Sequence, residues 1–136
     1  MPTQTFENIN VTGDIKSPNA VITLTVQLTA TDASRNVWIA PRACRLKSVS
    51  EVHGVASSSG TLQVEKCTGT TAPGSGTVLL TGTVSLAGTA QTVVSGTLIA
   101  TESDLTFAAG DRLTIKIAGT MTNIVGGIVT ITLVPV

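Results

Sequence analysis

Apolar and polar residues alternate repeatedly in this chain from about residue 21 to residue 134. In the segments 21–28, 112–117 and 129–134, Val, Ile or Leu occupies every second position, and Thr, Gln, Arg or Lys fills most positions between them. A period of two residues places each set on one face of a β-strand. The pattern therefore predicts a chain built almost entirely from strands.

The composition indicates what kind of core these strands can form. Hydrophobic residues make up 42% of the 136 residues but aromatic residues only 2%, so the core must consist mainly of Val, Ile, Leu and Ala. Threonine is the commonest residue, and its branched Cβ favours the pleated surface of a sheet. A chain of this length suits one independently folding domain.

The order of the predicted strands favours an antiparallel sandwich. About eight strands recur with turn residues between them and no helical period, which predicts an all-β jelly-roll sandwich over residues 20–136. An immunoglobulin-like sandwich is the alternative, although Trp38 precedes both Cys44 and Cys67, so the Cys…Trp…Cys order is absent. The predicted strands lie near 20–30, 36–54 with a break at Pro41, 62–66, 78–80, 83–86, 92–95, 97–100, 112–118 and 128–134.

Residues 1–19 differ from the rest of the chain. They are polar, mixed in charge and rich in turn formers, and we expect an extended N-terminal arm. In this interpretation Phe6, Ile9 and Val11 contact a neighbouring subunit, for example as an added strand. A frayed terminus is the alternative.

Charge and hydropathy exclude several classes of partner. The formal net charge is 0 with no basic stripe, so we expect no nucleic-acid binding. No run of about 18 apolar residues predicts a membrane-spanning helix. The first residues lack the pattern of a signal peptide, so we expect synthesis in the cytoplasm and free thiols at Cys44 and Cys67.

Reactive side chains are few. His53 is the only histidine, and no serine stands in a nucleophile elbow, so we expect neither an enzyme nor a bound cofactor. One histidine and two distant cysteines do not form a metal-site pattern either, and a cupin-like enzyme would need more histidines. The alternation of apolar and polar residues over 44–54 predicts that His53 is exposed beside Glu51, on the solvated face that also carries Arg45 and Lys47.

The aromatic residues predict contacts with protein more readily than with sugar. Trp38, Phe6 and Phe107 are too few to suggest a stacking platform for a glycan. We expect Trp38 to be a core or interface residue. Arg42 and Arg45 complete the set of candidate contacts with another protein or subunit, as charges at the rim.

Three stretches together resemble a known family. They are NVWIAPRACRLKSVSEVHG at 36–54, LQVEKCTGTTAPGSG at 62–76 and LTFAAGDRLTIKIAGT at 105–120. They are similar to the jelly-roll cement or decoration proteins of tailed bacteriophages, which sit outside an HK97-like shell. The resemblance implies a virion protein on the outer surface of the phage head that binds the major capsid protein and cements neighbouring capsomers. It also implies self-association, as a homodimer on a local two-fold axis or as a trimer.

A second hypothesis shares the same fold and composition. A fibre-tip or adhesion module for host or glycan recognition would also be a Thr- and Gly-rich sandwich. The two hypotheses differ in where the copies sit, either over the whole head or only at a vertex or tail.

Overall fold

The computed structural model describes residues 20–136 as ten strands and one short helix. The elements are β1 (Ile22–Leu28), β2 (Arg35–Ile39), β3 (Cys44–Val52), β4 (Thr61–Cys67), β5 (Thr77–Val78), β6 (Val84–Ser85), β7 (Val94–Ser95), α1 (Glu102–Leu105), β8 (Thr106–Phe107), β9 (Arg112–Ala118) and β10 (Gly127–Pro135). The arm predicted at 1–19, with Phe6, Ile9 and Val11, lies outside the described residues.

The strands form two antiparallel sheets of five strands each. Sheet A has the order β1-β10-β3-β7, with β8 also paired to β3. Sheet B has the order β2-β9-β4-β5, with β6 also paired to β4. The prediction of an all-β fold is confirmed.

A core of aliphatic side chains lies between the sheets. Its inward-facing residues follow the predicted alternation in β1, β9 and β10, where Ile115, Ile131 and Leu133 are fully buried. Phe107 is the largest fully buried side chain. Removing such apolar area from water is the main force that holds two sheets face to face.

A β-bulge in β3 reverses the predicted orientation of its second half. Leu46 and Ser48 oppose consecutive residues of β10, so Lys47 is the extra residue that shifts the register. Side chains after the bulge therefore change face. Glu51 and His53 point inward, each 1% exposed, and the prediction that they share a solvated face with Lys47 is wrong.

The middle of the chain contains shorter strands than the sequence pattern predicts. The strands β5 to β8 have two residues each, and the predicted strand at 97–100 contributes only a bridge between Leu98 and Leu80. The segment that contains Glu102 and Asp104 is the single turn α1. Gly and Ser interrupt this part of the chain too often for long ladders to form.

Candidate interaction surface

The outer face of sheet A is a regular array of hydroxyl side chains. Two rows cross β1, β10 and β3, because paired residues share a face. The first row is Thr23, Thr132 and Ser48, and the second is Thr25, Thr130 and Ser50, which Ser95 of β7 extends. The hydroxyls of Ser48 and Thr132 are hydrogen-bonded to each other. All seven residues are exposed or half-buried, so the array faces solvent.

This array carries almost no charge. Neither β1 nor β10 contains a charged residue, and on β3 only Arg45 and Lys47 are charged outside the core. Adjacent strands lie about 4.8 Å apart, so the short hydroxyl side chains form a low, even surface. Sequence reasoning assigned no function to these residues, although the spacing Thr-x-Thr at 23–25 and 130–132 was a visible signal for it.

One end of sheet A adds apolar surface to the hydroxyl array. Among the described residues nine large hydrophobic side chains are exposed, and five of them lie at the end where β3 meets β7 and β10. The register places them at this end, since Ile128 opposes Val52 on the outer face, Val94 opposes Glu51 on the inner face, and a bridge links 55 to 125. The five are Val55, Val93, Val94, Val125 and Ile128.

Part of the outer face of sheet B is covered by the chain itself. The segment 68–76 folds back over β4 and buries polar side chains that point away from the core. Glu65 Oε2 accepts hydrogen bonds from the backbone N–H of Gly74 at 2.8 Å and Gly76 at 3.4 Å. Gln63 Nε2 donates to the backbone carbonyls of residues 80 and 82 at 3.2 and 3.0 Å. The loop therefore covers the β4 side of this face, whereas Asn36 of β2 and Lys116 of β9 remain exposed on it.

The only histidine of the sequence is buried inside the sandwich and hydrogen-bonded there. His53 Nε2 donates to the Gly88 carbonyl at 3.0 Å, and Nδ1 lies 2.8 Å from Glu51 Oε1. Burial alone would lower the pKa of His53, but the hydrogen bonds to Gly88 and Glu51 and the charge of Glu51 outweigh it and raise the pKa above 6.5. Both ring nitrogens are engaged, and the pair fixes the segment 86–91 over the end of sheet A.

The described contact candidates lie at the β2–β3 end of the sandwich. Trp38 is half-buried in β2, and its ring contacts the edge of Phe107 with centroids 6.4 Å apart. Arg45 Nη1 forms an exposed ion pair with Glu102 Oε2 at 2.8 Å. Arg42 is half-buried in the connection between β2 and β3. Arg45 adjoins the hydroxyl rows on the outer face of sheet A, since its partner Val134 is two residues from Thr132 on β10. Trp38 and Arg42 belong to neither row.

The two cysteines are buried and free, as predicted. Burial, together with Asp111, raises the pKa of the Cys44 thiol despite the opposing charge of Arg42. Cys67 lies under the cover of sheet B, with Sγ 3.4 Å from Thr114 Oγ1. Both thiols are structural groups in this fold.

A small cleft of about 160 Å³ lies between the short strands β6 and β7. Its walls come from the segments 81–85 and 94–97, and its side chains are mainly hydroxyls with two valines. The cleft is smaller than the usual 300 Å³ or more of a small-molecule site.

The described residues contain neither a metal-site cluster nor a membrane-spanning helix. Residues 20–136 contain no group of three or more His, Cys, Asp or Glu side chains placed to hold a metal ion. No helix in the same part of the chain has the length and apolarity that crossing a lipid bilayer requires.

Comparisons of this chain with models of protein families, with curated proteins and with solved structures found no match.

Proposed function

We propose that this protein is a structural protein of a tailed-phage virion, which binds the outside of an HK97-like capsid and cements neighbouring capsomers. The observation that carries the proposal is the exposed, nearly uncharged outer face of sheet A. The resemblance of residues 36–54, 62–76 and 105–120 to phage cement proteins supports the same assignment.

The physical chemistry of this face suits protein docking. Burying a charge without a partner is costly, whereas a hydroxyl can donate or accept and adapts to many partner groups. The adjoining apolar end supplies area whose burial favours association. Each copy needs only modest affinity, because many copies act on one shell.

The strand order supports a jelly-roll connectivity. If β5 and β6 count as one interrupted strand beside β4, and β7 and β8 as one beside β3, each sheet has four strand positions. Eight positions in two antiparallel sheets match the expected architecture. The outer faces of both sheets are then continuous surfaces, of which only that of sheet A lacks a covering loop.

We infer a non-catalytic role and no cofactor. His53 is 1% exposed and both of its ring nitrogens are engaged, so it cannot reach a substrate in this conformation. His53→Gln should leave binding to phage heads unchanged while it alters stability.

A head-binding assay tests the proposal. Mature heads assembled without this protein are incubated with wild-type protein, with Thr130→Lys/Thr132→Lys and with Thr68→Lys/Thr70→Lys. The last variant adds the same charge to exposed positions of the loop that covers sheet B.

We expect wild-type protein and the Thr68/Thr70 variant to bind and to raise the temperature at which heads release DNA. We expect the Thr130/Thr132 variant to bind at least about tenfold more weakly, since each new charge must be desolvated. No binding by wild-type protein, or equal binding by all three, would contradict the proposal.

The cleft between β6 and β7 favours a second candidate function. Its hydroxyl lining could bind part of a glycan, as an adhesion module would require. Binding of purified glycans that Thr83→Val and Thr97→Val abolish would support this alternative. Finding the protein only at a vertex of the head or on the tail would also support this alternative.

A further inference from the structure

The edge strands of this sandwich are protected, with one exception. An unpaired edge exposes backbone N–H and C=O groups, and proteins usually block it with short strands, charges, proline or bulges. The strands β5 to β8 have only two residues each. The edge strand β2 begins with Arg35, carries a bulge at Val37, and is soon followed by Pro41.

The edge strand β1 has none of these features. Its seven residues, ITLTVQL, include no charge and no proline, and their register with β10 is unbroken. A long, regular and uncharged edge is a template for another strand. Within residues 20–136, β1 is therefore the edge strand with which another strand can pair most readily.

The backbone of β1 has groups directed at this open edge. The Gln27 carbonyl accepts a hydrogen bond from Arg35 Nη2 at 3.0 Å, so the backbone of Gln27 points away from β10. Every second residue of an antiparallel strand has the same orientation. The N–H and C=O groups of Thr23 and Thr25 consequently face outward.

The core is also incompletely closed beside this edge. On the inner face of β1, Val26 and Leu28 are buried, but Ile22 and Leu24 are only half-buried. Across the sandwich, Trp38 of the edge strand β2 is half-buried as well. An added strand would cover this apolar seam as well as the backbone groups.

We propose that β1 pairs antiparallel with β1 of a second copy about a two-fold axis at Leu24. The pairing opposes Thr23 of each copy to Thr25 of the other and forms four backbone hydrogen bonds from the outward groups alone. The Gln27 carbonyl keeps its bond to Arg35. This inference specifies the self-association contained in the proposed function, but it does not rest on capsid binding.

A second copy suits this edge better than a different strand. In a two-fold pairing each strand faces a copy of itself, so a charged strand would place like charges opposite each other. Strand β1 has no charge, and its outer side chains form Thr–Thr pairs, which are favourable across strands.

The pairing also determines how the docking faces are arranged. A two-fold axis perpendicular to the joined sheet leaves the outer faces of both copies of sheet A on the same side. The dimer then presents one continuous hydroxyl surface, wide enough to reach across a junction. The contact is narrow compared with a standard interface, so we expect a dissociation constant in the micromolar range.

Charge-swap variants of the full-length chain test the pairing without any phage shell. The first variant is Thr23→Lys/Thr25→Lys, and the second is Thr23→Glu/Thr25→Glu. The matched comparison is Thr130→Lys/Thr132→Lys, which places the same charges on the register partners one strand further in. Mass is measured by sedimentation equilibrium at about 0.15 M salt, where charges beyond about 8 Å are screened.

We expect wild-type protein and the Thr130/Thr132 variant to dimerise with similar affinity. Each β1 variant alone should dimerise at least about tenfold more weakly, and an equimolar mixture of the two should recover dimers because opposite charges then face each other. Circular dichroism and thermal melting establish that each variant is folded.

Three results would overturn the pairing. The first is a wild-type chain that stays monomeric at about 100 μM. The same holds if it dimerises only after residues 1–19 are deleted, because its own N-terminal segment would then occupy the edge. The second is a mixture of the Lys and Glu variants that does not recover dimers. The third is a Thr130/Thr132 variant as impaired as the β1 variants, which would indicate pairing through the face of sheet A. Capsid binding is scored separately, so either proposal can fail alone.

Discussion

The outer faces of sheets A and B belong to similar antiparallel strands, but the face of sheet A is open to solvent and part of the face of sheet B lies under a loop. Both belong to antiparallel sheets in which polar side chains alternate with the core residues. On sheet B these polar residues hold a covering loop, so Gln63, Glu65 and Thr114 are buried. On sheet A the corresponding residues are Thr and Ser in contact with solvent. The difference shows that alternation identifies the core face of a strand but not what lies on its other face.

The largest expected effect concerns the carboxylate that holds the cover of sheet B. Glu65→Ala removes the acceptor for the N–H groups of Gly74 and Gly76. We expect a loss of about 3 kcal/mol in the free energy of unfolding, since hydrogen bonds to a charged group contribute about 1.5–3 kcal/mol. Urea denaturation measures it.

The matched control is Thr25→Ala on the exposed face of sheet A, where a change within about 0.5 kcal/mol is expected. Equal effects at Glu65 and Thr25 would remove the distinction between the two faces.

The next effect comes from the close approach of the same loop to β4. A Cβ added at Gly76 would lie 2.6 Å from Cys67 Sγ and 2.7 Å from the Lys66 carbonyl oxygen. We expect Gly76→Ala to cost about 2 kcal/mol, because the covering loop must move away from the strand.

Gly82→Ala provides the comparison for this prediction, since nothing lies within 4 Å of a Cβ there and its φ is not positive. Amide hydrogen exchange should show faster exchange across 68–76 in the Gly76 variant and little change in the Gly82 variant. Unchanged protection in both variants would mean that the cover is not closely packed.

A smaller effect concerns pH and the buried pair beneath the apolar end of sheet A. The pKa of His53 is raised in the folded protein, so its protonated form stabilises the fold below about pH 6.5. That contribution is lost as the pH rises through the raised pKa. We expect the free energy of unfolding to fall as the pH rises from about 6.5 through the raised pKa of His53.

Glu51→Gln should weaken this pH dependence, because it removes the charge that favours imidazolium. NMR titration of the His53 ring measures the pKa directly. A His53 pKa below 6.5 would contradict the assignment.

The smallest effect on stability is expected on the proposed docking face. Thr130→Ala and Ser50→Ala remove hydroxyls from half-buried positions of sheet A, and each should change stability by no more than about 0.5 kcal/mol. The same changes should weaken binding to phage heads measurably. A variant that loses stability without losing binding would assign these hydroxyls to the fold rather than to a partner.

The sequence pattern predicted much of this fold because periodicity reports burial directly. The strands β1, β9 and β10 lie where the alternation placed them. The inward turn of Glu51 and His53 was predicted wrongly because a one-residue bulge reverses parity. The apolar Val49, out of phase with Leu46 and in phase with Glu51, was the visible signal of that bulge.

The candidate site was harder to predict for a related reason. Whether an outward residue meets solvent or a loop depends on contacts distant in sequence, such as Glu65 with Gly74. Sequence reasoning therefore selected the aromatic and charged residues Trp38, Arg42 and Arg45. The hydroxyl rows became visible only when the register of β1, β10 and β3 joined them.

Electron cryomicroscopy of intact phage heads shows where this protein binds and which face it uses. We expect density for this sandwich at repeated positions over the whole head, with the outer face of sheet A against the shell and the loop 68–76 towards solvent. Heads without such density, or a sandwich that contacts the shell through the outer face of sheet B, would contradict the proposed docking.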